Sequence, residues 1–447
     1  MDLPQAFVDK MRALFGAEYD DFARGFDLPR HYGVRVNTLK IDKERFKGLF
    51  DCPFLAVPWC KDGFYYNAEA HRLSKSPYYA AGLYYIQEPS AMSAAAMLDA
   101  KPGERVLDLC ASPGGKTTQL AVSMQNEGVL VSNDATSARM TALVKNIELM
   151  GVTNVLVTNE TAERLAVRFP GWFDKILVDA PCSGEGMFRK DRDAVLSWDA
   201  KKPERLSEIQ YTILEDAAKM VRNGGRLMYS TCTFSPEENE GQIKAFLDRH
   251  HDFALVCIRH EAMGVSQARA DWAGDERLAA AARIWPHKQN GEGHFAAMLT
   301  RTGGAPTAPE EAPAAAADAK AMGLYDGFAK EMLRNPPQGA VARHKDLLYI
   351  PPAGLPRLDG LRIFRGGFPL GLVKGNRFEP SASLAMALGS GDFTRALDFA
   401  AEADEVRRFL NGEAFEVDAT NGMYVFCAGG HPLGLVKIQN GRLKGRI

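Results

Sequence analysis

The sequence predicts an α/β fold on a parallel sheet, with a small α+β region before it and a mainly β region after it. Three observations predict this. From Gly103 onward, short apolar runs alternate with helical patterns, which argues for a parallel sheet. A glycine-rich turn, Ser112-Pro113-Gly114-Gly115-Lys116, follows the first of these runs. Two cysteines, Cys182 in Asp179-Ala180-Pro181-Cys182-Ser183-Gly184 and Cys232 in Ser230-Thr231-Cys232-Thr233, come just after two others. Open α/β sheets bind ligands beyond the carboxyl ends of their strands. Two thiols delivered to that edge suggest covalent chemistry on a bound substrate.

Composition bounds the function. The 447 residues allow two or three domains, and 46% hydrophobic residues allow a large core. A net charge of −2 gives no global argument for nucleic acid, so any basic surface must be local. The seven cysteines have no pairing framework, which fits a reducing cytoplasm. The nine histidines lack zinc-ligand spacing, so no metal is expected. Met1-Asp2-Leu3-Pro4 shows no secretory pattern, and no apolar run approaches membrane-spanning length. The expectation is a cytoplasmic monomer without a membrane.

The elements follow in order. Residues 1–100 read as an α+β lead-in. Phe7, Met11 and Leu14-Phe15 share one face of a helix from Pro4 to Phe15. Gly33 to Lys40 alternates like a strand, with Arg35 and Lys40 toward solvent. Ser90 reads as the cap of a helix from Ala91 to Leu98. Residues 101–302 form the parallel-sheet domain. Its strands are expected at Arg105–Leu109, Gly128–Ser132, Asn154–Thr158, Lys175–Val178, Arg226–Ser230 and Phe253–Cys257, with a closing strand at Phe295–Leu299. Leu206, Ile209, Ile213, Ala217 and Met220-Val221 make an apolar helical stripe that Gly224-Gly225 ends. Residues 303–319, rich in Ala, Pro and Glu, read as a flexible linker. Residues 320–447 form a C-terminal module with an internal echo, Gly366 to Lys374 against Gly429 to Lys437. Two copies are too few for a solenoid, so two β units of a small barrel-like module are expected. The module has 17 Lys/Arg against 13 Asp/Glu, and its end, Arg442 to Ile447, reads equally as a solvated tail or a phosphate contact.

The glycine-rich turn can be tested against known nucleotide loops. A P-loop needs Gly six residues before its Lys, and that position is Cys110. A dinucleotide G-x-G-x-x-G is also absent. The remaining reading is S-adenosylmethionine, its methionyl carboxylate against the loop amides and Lys116. Asp134, after the second strand, suits a ribose through two acceptor oxygens, although an N-cap would also place an Asp there. Arg139 is positioned to pair with Asp134 or brace the loop. Asn159, Glu160 and Thr161 sit where an adenine contact falls.

The two thiols suit pyrimidine chemistry. C5 of a pyrimidine is a poor nucleophile until a thiolate adds at C6. The C5 proton must then leave, which expels the thiolate. A second thiol nearby can assist that elimination. Asp179 can accept from an exocyclic amine and so select cytosine. A lone cysteine is more often a small buried apolar residue, and Cys110 is read that way, with its backbone at the cofactor. Two cysteines at adjacent strand ends favour chemistry.

The segments Asp108 to Lys116, Asp179 to Gly186 and Tyr229 to Thr233 resemble the Sun-type RNA cytosine-C5 methyltransferases, over roughly residues 30–300. Arg35 to Lys40 and Tyr85 to Ser90 look like the family's pre-core segments. The C-terminal module resembles the PUA-like RNA-binding region of the bacterial ribosomal branch. The resemblance implies a Rossmann-like core, Cys232 as nucleophile and Cys182 in product release. It implies cofactor contacts from Cys110, Ala111, Ser112, Pro113, Gly114, Gly115, Lys116, Asp134, Arg139, Thr161 and Asp179. Arg35 and Lys190 are the implied RNA contacts, while Arg189 reads nearly equally as a contact to the target nucleotide or as part of a solvated charged turn. The implied partner is RNA, 16S rRNA or the 30S subunit. A transfer-RNA methyltransferase and a non-catalytic RNA-binding assembly factor are the alternatives.

Overall fold

The alternation after Gly103 builds one ten-stranded sheet in the computed structural model, which describes residues 2–446. Its strands are β1 (Arg105–Asp108), β2 (Val129–Asn133), β3 (Val155–Thr158), β4 (Phe173–Asp179), β5 (Val221–Thr231), β6 (Phe253–Val256), β7 (Ser266–Gln267), β8 (Ala282–Ile284), β9 (His294–Arg301) and β10 (Ile363–Arg365). The order is β7-β8-β9-β5-β4-β1-β2-β3-β10, with β6 also paired to β9. Strands β3, β2, β1, β4 and β5 are parallel. Helices cover both faces, so these strands are Val/Ile/Leu runs rather than alternating ones. The strand order reverses between β1 and β4, which opens a crevice at their carboxyl ends.

The expected strands all form, but helix detail differs from the stripe. The helix Lys202–Met220 leaves Ile209 49% exposed and buries Gln210. Gln210 is buried because its amide donates to the Pro181 carbonyl at 2.9 Å and to Glu238 at 2.8 Å. Gly224 and Gly225 lie inside β5, and the helix ends at Met220. Ser90 does not cap by its side chain; its hydroxyl donates to Glu88.

The N-terminal region is a four-stranded antiparallel sheet with Tyr32–Val36 near its centre, preceded by the helix Gln5–Phe15. Phe7, Met11 and Phe15 are buried against Phe188, Trp198, Phe234 and Trp285, which follow the two cysteine motifs and β8. Two cations depart from the sequence reading. Arg35 is 1% exposed, not solvent-facing, because Val34 to Val36 are enclosed on both faces. Its guanidinium donates to Gln87, to the Gly115 carbonyl and to Thr118 at 3.1, 3.0 and 2.8 Å. These bonds tie it to the cofactor loop's helix rather than to solvent. Lys40 donates to the carbonyls of Ala81 and Leu149, and burial pulls its pKa down to about 7.

Residues 303–319 are pinned rather than free. Ala305 N donates to Asn223, Ala312 N to Leu355 O and Ala317 N to Val341 O, each within 3.0 Å. Asp318 caps the helix Ala319–Met332. The C-terminal region holds two sheets, of four and five strands. Each takes one copy of the echo, Phe368–Lys374 in one and His431–Gln439 in the other. Arg442–Arg446 forms a strand of the second sheet, not a tail, and Ile447 lies outside the described residues. This region is not detached. Phe409, Phe426 and Val436 share a core with Val34, Phe46 and Tyr84 of the N-terminal sheet. The short strand β10 extends the central sheet beyond β3.

Candidate active site

The crevice is built from three strand ends. After β1 the chain turns through Cys110 to Gly114 and enters the helix Gly115–Ser123. Gly114 has φ +106°, and a Cβ there would meet Leu143 Cδ1 at 3.0 Å. Glycine is therefore required by both backbone and space. The loop is held from outside. Ser112 N donates to Asp134 Oδ2 at 3.1 Å, Asn146 Nδ2 to Pro113 O at 2.8 Å, and the Arg139 guanidinium to Ser112 O. Arg139 also lies 3.7 Å from Asp134, so it both pairs and braces. Asp134 Oδ1 accepts from Thr136 N at 2.9 Å in a tight turn; it is not the helix N-cap the sequence allowed, because that helix begins only at Met140.

The loop leads into the N-terminus of the helix Gly115–Ser123, where an anion is favoured, and Asp134 stands beside the loop with its carboxylate buried. Both features fit S-adenosylmethionine. Cys110 is enclosed, and burial pushes its thiol pKa up, so its side chain is inert. Thr161 is exposed and caps the helix Ala162–Arg168. Glu160 is fully buried and pairs with Arg164 at 2.8 Å. Arg362 N donates to Glu160 Oε1 at 2.6 Å.

Lys116, expected at the methionyl carboxylate, is instead bound to Asp179, Nζ to Oδ2 at 2.7 Å. The lysine reaches across because Asp179 ends β4, the neighbour of β1. Burial would raise the Asp179 pKa, but the Lys116 ammonium outweighs it and holds the carboxylate ionised. Ser230 Oγ donates to Asp179 Oδ1 at 2.9 Å.

The two thiols meet at the same place. Cys182 Sγ and Cys232 Sγ are 3.3 Å apart, and both cysteines are free. The hydrogen bond to Cys232, together with burial, pushes the Cys182 pKa well up, which favours its thiol form. Two buried carboxylates lock the motif loops together. Glu185 Oε2 accepts from Thr233 Oγ1, Phe234 N and Ser235 N at 2.8 to 2.9 Å. Glu238 Oε2 accepts from Ser183 N at 2.9 Å, and Ser183 Oγ meets Thr233 Oγ1 at 2.6 Å. Thus the residue after each cysteine is tied to the residue after the other.

On the rim, Lys190 is exposed, and its side chain has no partner among the described residues. Arg189 is not the solvated charge the sequence suggested. It is buried on Glu292 at 2.7 Å and donates to the carbonyls of Gly25, Leu28 and Gly291. Sequence reasoning missed Glu185, Glu238 and His294. Glu185 was visible inside the Pro-Cys motif; the other two carry no local signal. Among the described residues no cluster suits a metal ion, and no helix is long and apolar enough to cross a membrane.

The fold and site together define an S-adenosylmethionine-dependent methyltransferase. Comparison with known proteins narrows the class. The 16S rRNA methyltransferase RsmB/F family matches residues 95–300. The N-terminal, first C-terminal and PUA domains of 16S rRNA methyltransferase RsmF match residues 3–89, 327–388 and 396–446. The ribosomal RNA small subunit methyltransferase F of Cronobacter sakazakii is 32% identical, across 99% of this chain and 95% of that one. Its Klebsiella pneumoniae counterpart is also 32% identical, across 99% and 94%. A methyltransferase homologue from Pyrococcus horikoshii, of known structure, shares 33% identity at a TM-score of 0.59. It is matched over 95% of its length and 67% of this chain. The chain belongs to the RsmB/F family of 16S rRNA methyltransferases. The matched ranges split the C-terminal region into the two sheet-bearing units seen in the fold.

Proposed function

We propose that this protein methylates C5 of a cytosine in 16S rRNA through a covalent adduct on Cys232. The observation that carries the reading is the pair of thiols, 3.3 Å apart, beside an ionised Asp179. Asp179 accepts from the exocyclic amine of the target base and positions it over Cys232. The Cys232 sulfur bonds to C6, and the C5–C6 double-bond electrons pass to C5. S-adenosylmethionine, when bound, would supply an electrophilic methyl group to C5, its methyl–sulfur bond breaking to leave S-adenosylhomocysteine. Solvent water takes the C5 proton, the electron pair reforms the C5–C6 double bond and the C6–S bond breaks, the sulfur leaving as thiolate. Cys182, kept as a thiol, returns a proton to the departing sulfur. The cofactor is held by residues 110–115 and Asp134, with adenine near Asn159 to Thr161.

The target base must be unpaired or flipped out for C6 to reach a thiol at the sheet edge. Lys190, on the rim, is placed for a phosphate, and the PUA domain offers a second RNA contact. The role assignment is tested by replacing each thiol. Cys182→Ala is expected to accumulate protein–RNA adduct that survives denaturing electrophoresis, and Cys232→Ala to form none. The reverse pattern would exchange the roles. Bisulfite mapping after reaction with naked 16S rRNA, 30S subunits and bulk transfer RNA tests the substrate. Label only in transfer RNA would remove the ribosomal assignment.

A further inference from the structure

His294 opens β9, and the register Phe295↔Thr231 places it across from Cys232, one residue beyond the last pair. Its imidazole faces Asp179 and Lys116 at the carboxyl edge of the sheet, the edge from which Cys232 follows Thr231. The side chain is 2% exposed, and its Nε2 lies 3.7 Å from Asp179 Oδ1, beyond hydrogen-bond range. Neither ring nitrogen has a hydrogen-bond partner among the described residues. A buried polar side chain left without partners costs stability and calls for an explanation.

Lys116 and Ser230 each donate to one oxygen of Asp179, whose further lone pairs remain for a substrate amine. Glu88 accepts from Ser90 N, Ala91 N and Glu292 N. The Gly293 backbone acts on the ring as a weak hydrogen-bond partner that raises its pKa, although no contact between them meets both distance and angle for a full hydrogen bond. Burial and the nearby Lys116 ammonium pull the His294 pKa down to about 4, so the ring is neutral. A neutral imidazole has one N–H to give and one lone pair.

We infer that His294 is a substrate-contacting residue whose ring N–H donates to the O2 carbonyl of the target cytosine. The inference rests on the proposed cytosine-C5 reaction. Addition of sulfur at C6 moves electron density onto the C5, N3 and O2 side of the ring. A fixed donor at O2 is worth more in that state than in the free base. Asp179 and His294, 3.7 Å apart, then take the two ends of the Watson–Crick edge of one pyrimidine: the amine donates to Asp179 and the carbonyl accepts from His294. Uracil shares O2, so His294 serves addition at C6 while Asp179 serves discrimination.

The test is single-turnover methylation of 16S rRNA at saturating S-adenosylmethionine. H294F is expected to lower the rate by about a hundredfold, the usual effect of losing one such donor. Its affinity for S-adenosylmethionine, read by calorimetry, should stay within about twofold of wild type. An amide donor should restore at least about tenfold, through H294Q if Nε2 carries the proton and through H294N if Nδ1 does. Should H294F fail to fold, H294L against H294Q decides the same question. A rate within about threefold of wild type in H294F overturns the inference. So does a loss that neither amide variant relieves, which marks a packing role. Wild-type label at any position other than cytosine C5 instead removes the underlying reading, and the inference with it.

Discussion

Glu160 and Arg362 join the cofactor edge of the central sheet to the C-terminal region: the Arg362 amide donates to Glu160 Oε1 at 2.6 Å. Asn159 N in turn donates to Arg362 O at 2.9 Å. The contact exists because β10 pairs antiparallel with β3 and carries Arg362 to the turn where adenine is expected. Glu160 is fully buried and accepts charge from Arg164 as well.

This predicts a variant with two readouts. E160A strands the Arg362 amide and removes the Arg164 partner. A hydrogen bond to a charged group contributes about 1.5–3 kcal/mol. A stability loss of about 2 kcal/mol is expected in urea unfolding, together with weaker S-adenosylmethionine binding by calorimetry. Unchanged values in both would show that β10 is only draped on the sheet.

Glu238 links pH to stability. Burial raises its pKa from an ordinary 4.5 to about 7. Between those values the folded chain keeps a proton that the unfolded chain has released, so stability falls as pH rises from about 4.5 to 7. E238Q keeps a neutral acceptor for Ser183 N and Gln210 and is expected to flatten that part of the profile. Thermal melts of both proteins across this range check it, and parallel profiles would refute the assignment.

Lys190 tests the rim. Its exposed ammonium lies three residues after Met187, in the turn that follows the Pro-Cys motif. K190A is expected to weaken binding to 16S rRNA and to lower the slope of log affinity against log salt by about 1. Melting temperature should not move. An unchanged slope would place the phosphate contact elsewhere.

The strand–turn–helix code of the core was legible because each parallel strand is enclosed on both faces and so reads as an unbroken apolar run. The loop Cys110 to Gly115 and the two cysteine motifs were equally legible, since their chemistry resides in short contiguous segments. The partners of Arg35, Arg189 and Lys116 were not legible for one reason. A cation's environment is set by what packs on it from distant chain, here Thr118, Glu292 and Asp179 respectively.

The sequence by itself therefore determined the sheet, the cofactor turn and the presence of two strand-end thiols. Only the tertiary structure decided that those thiols touch, that His294 stands across from Cys232 and that β10 caps the sheet beside Glu160. Local propensity and spacing act over a few residues. Each of these three relationships joins segments 50 or more residues apart, and strand pairing or loop packing brings them together.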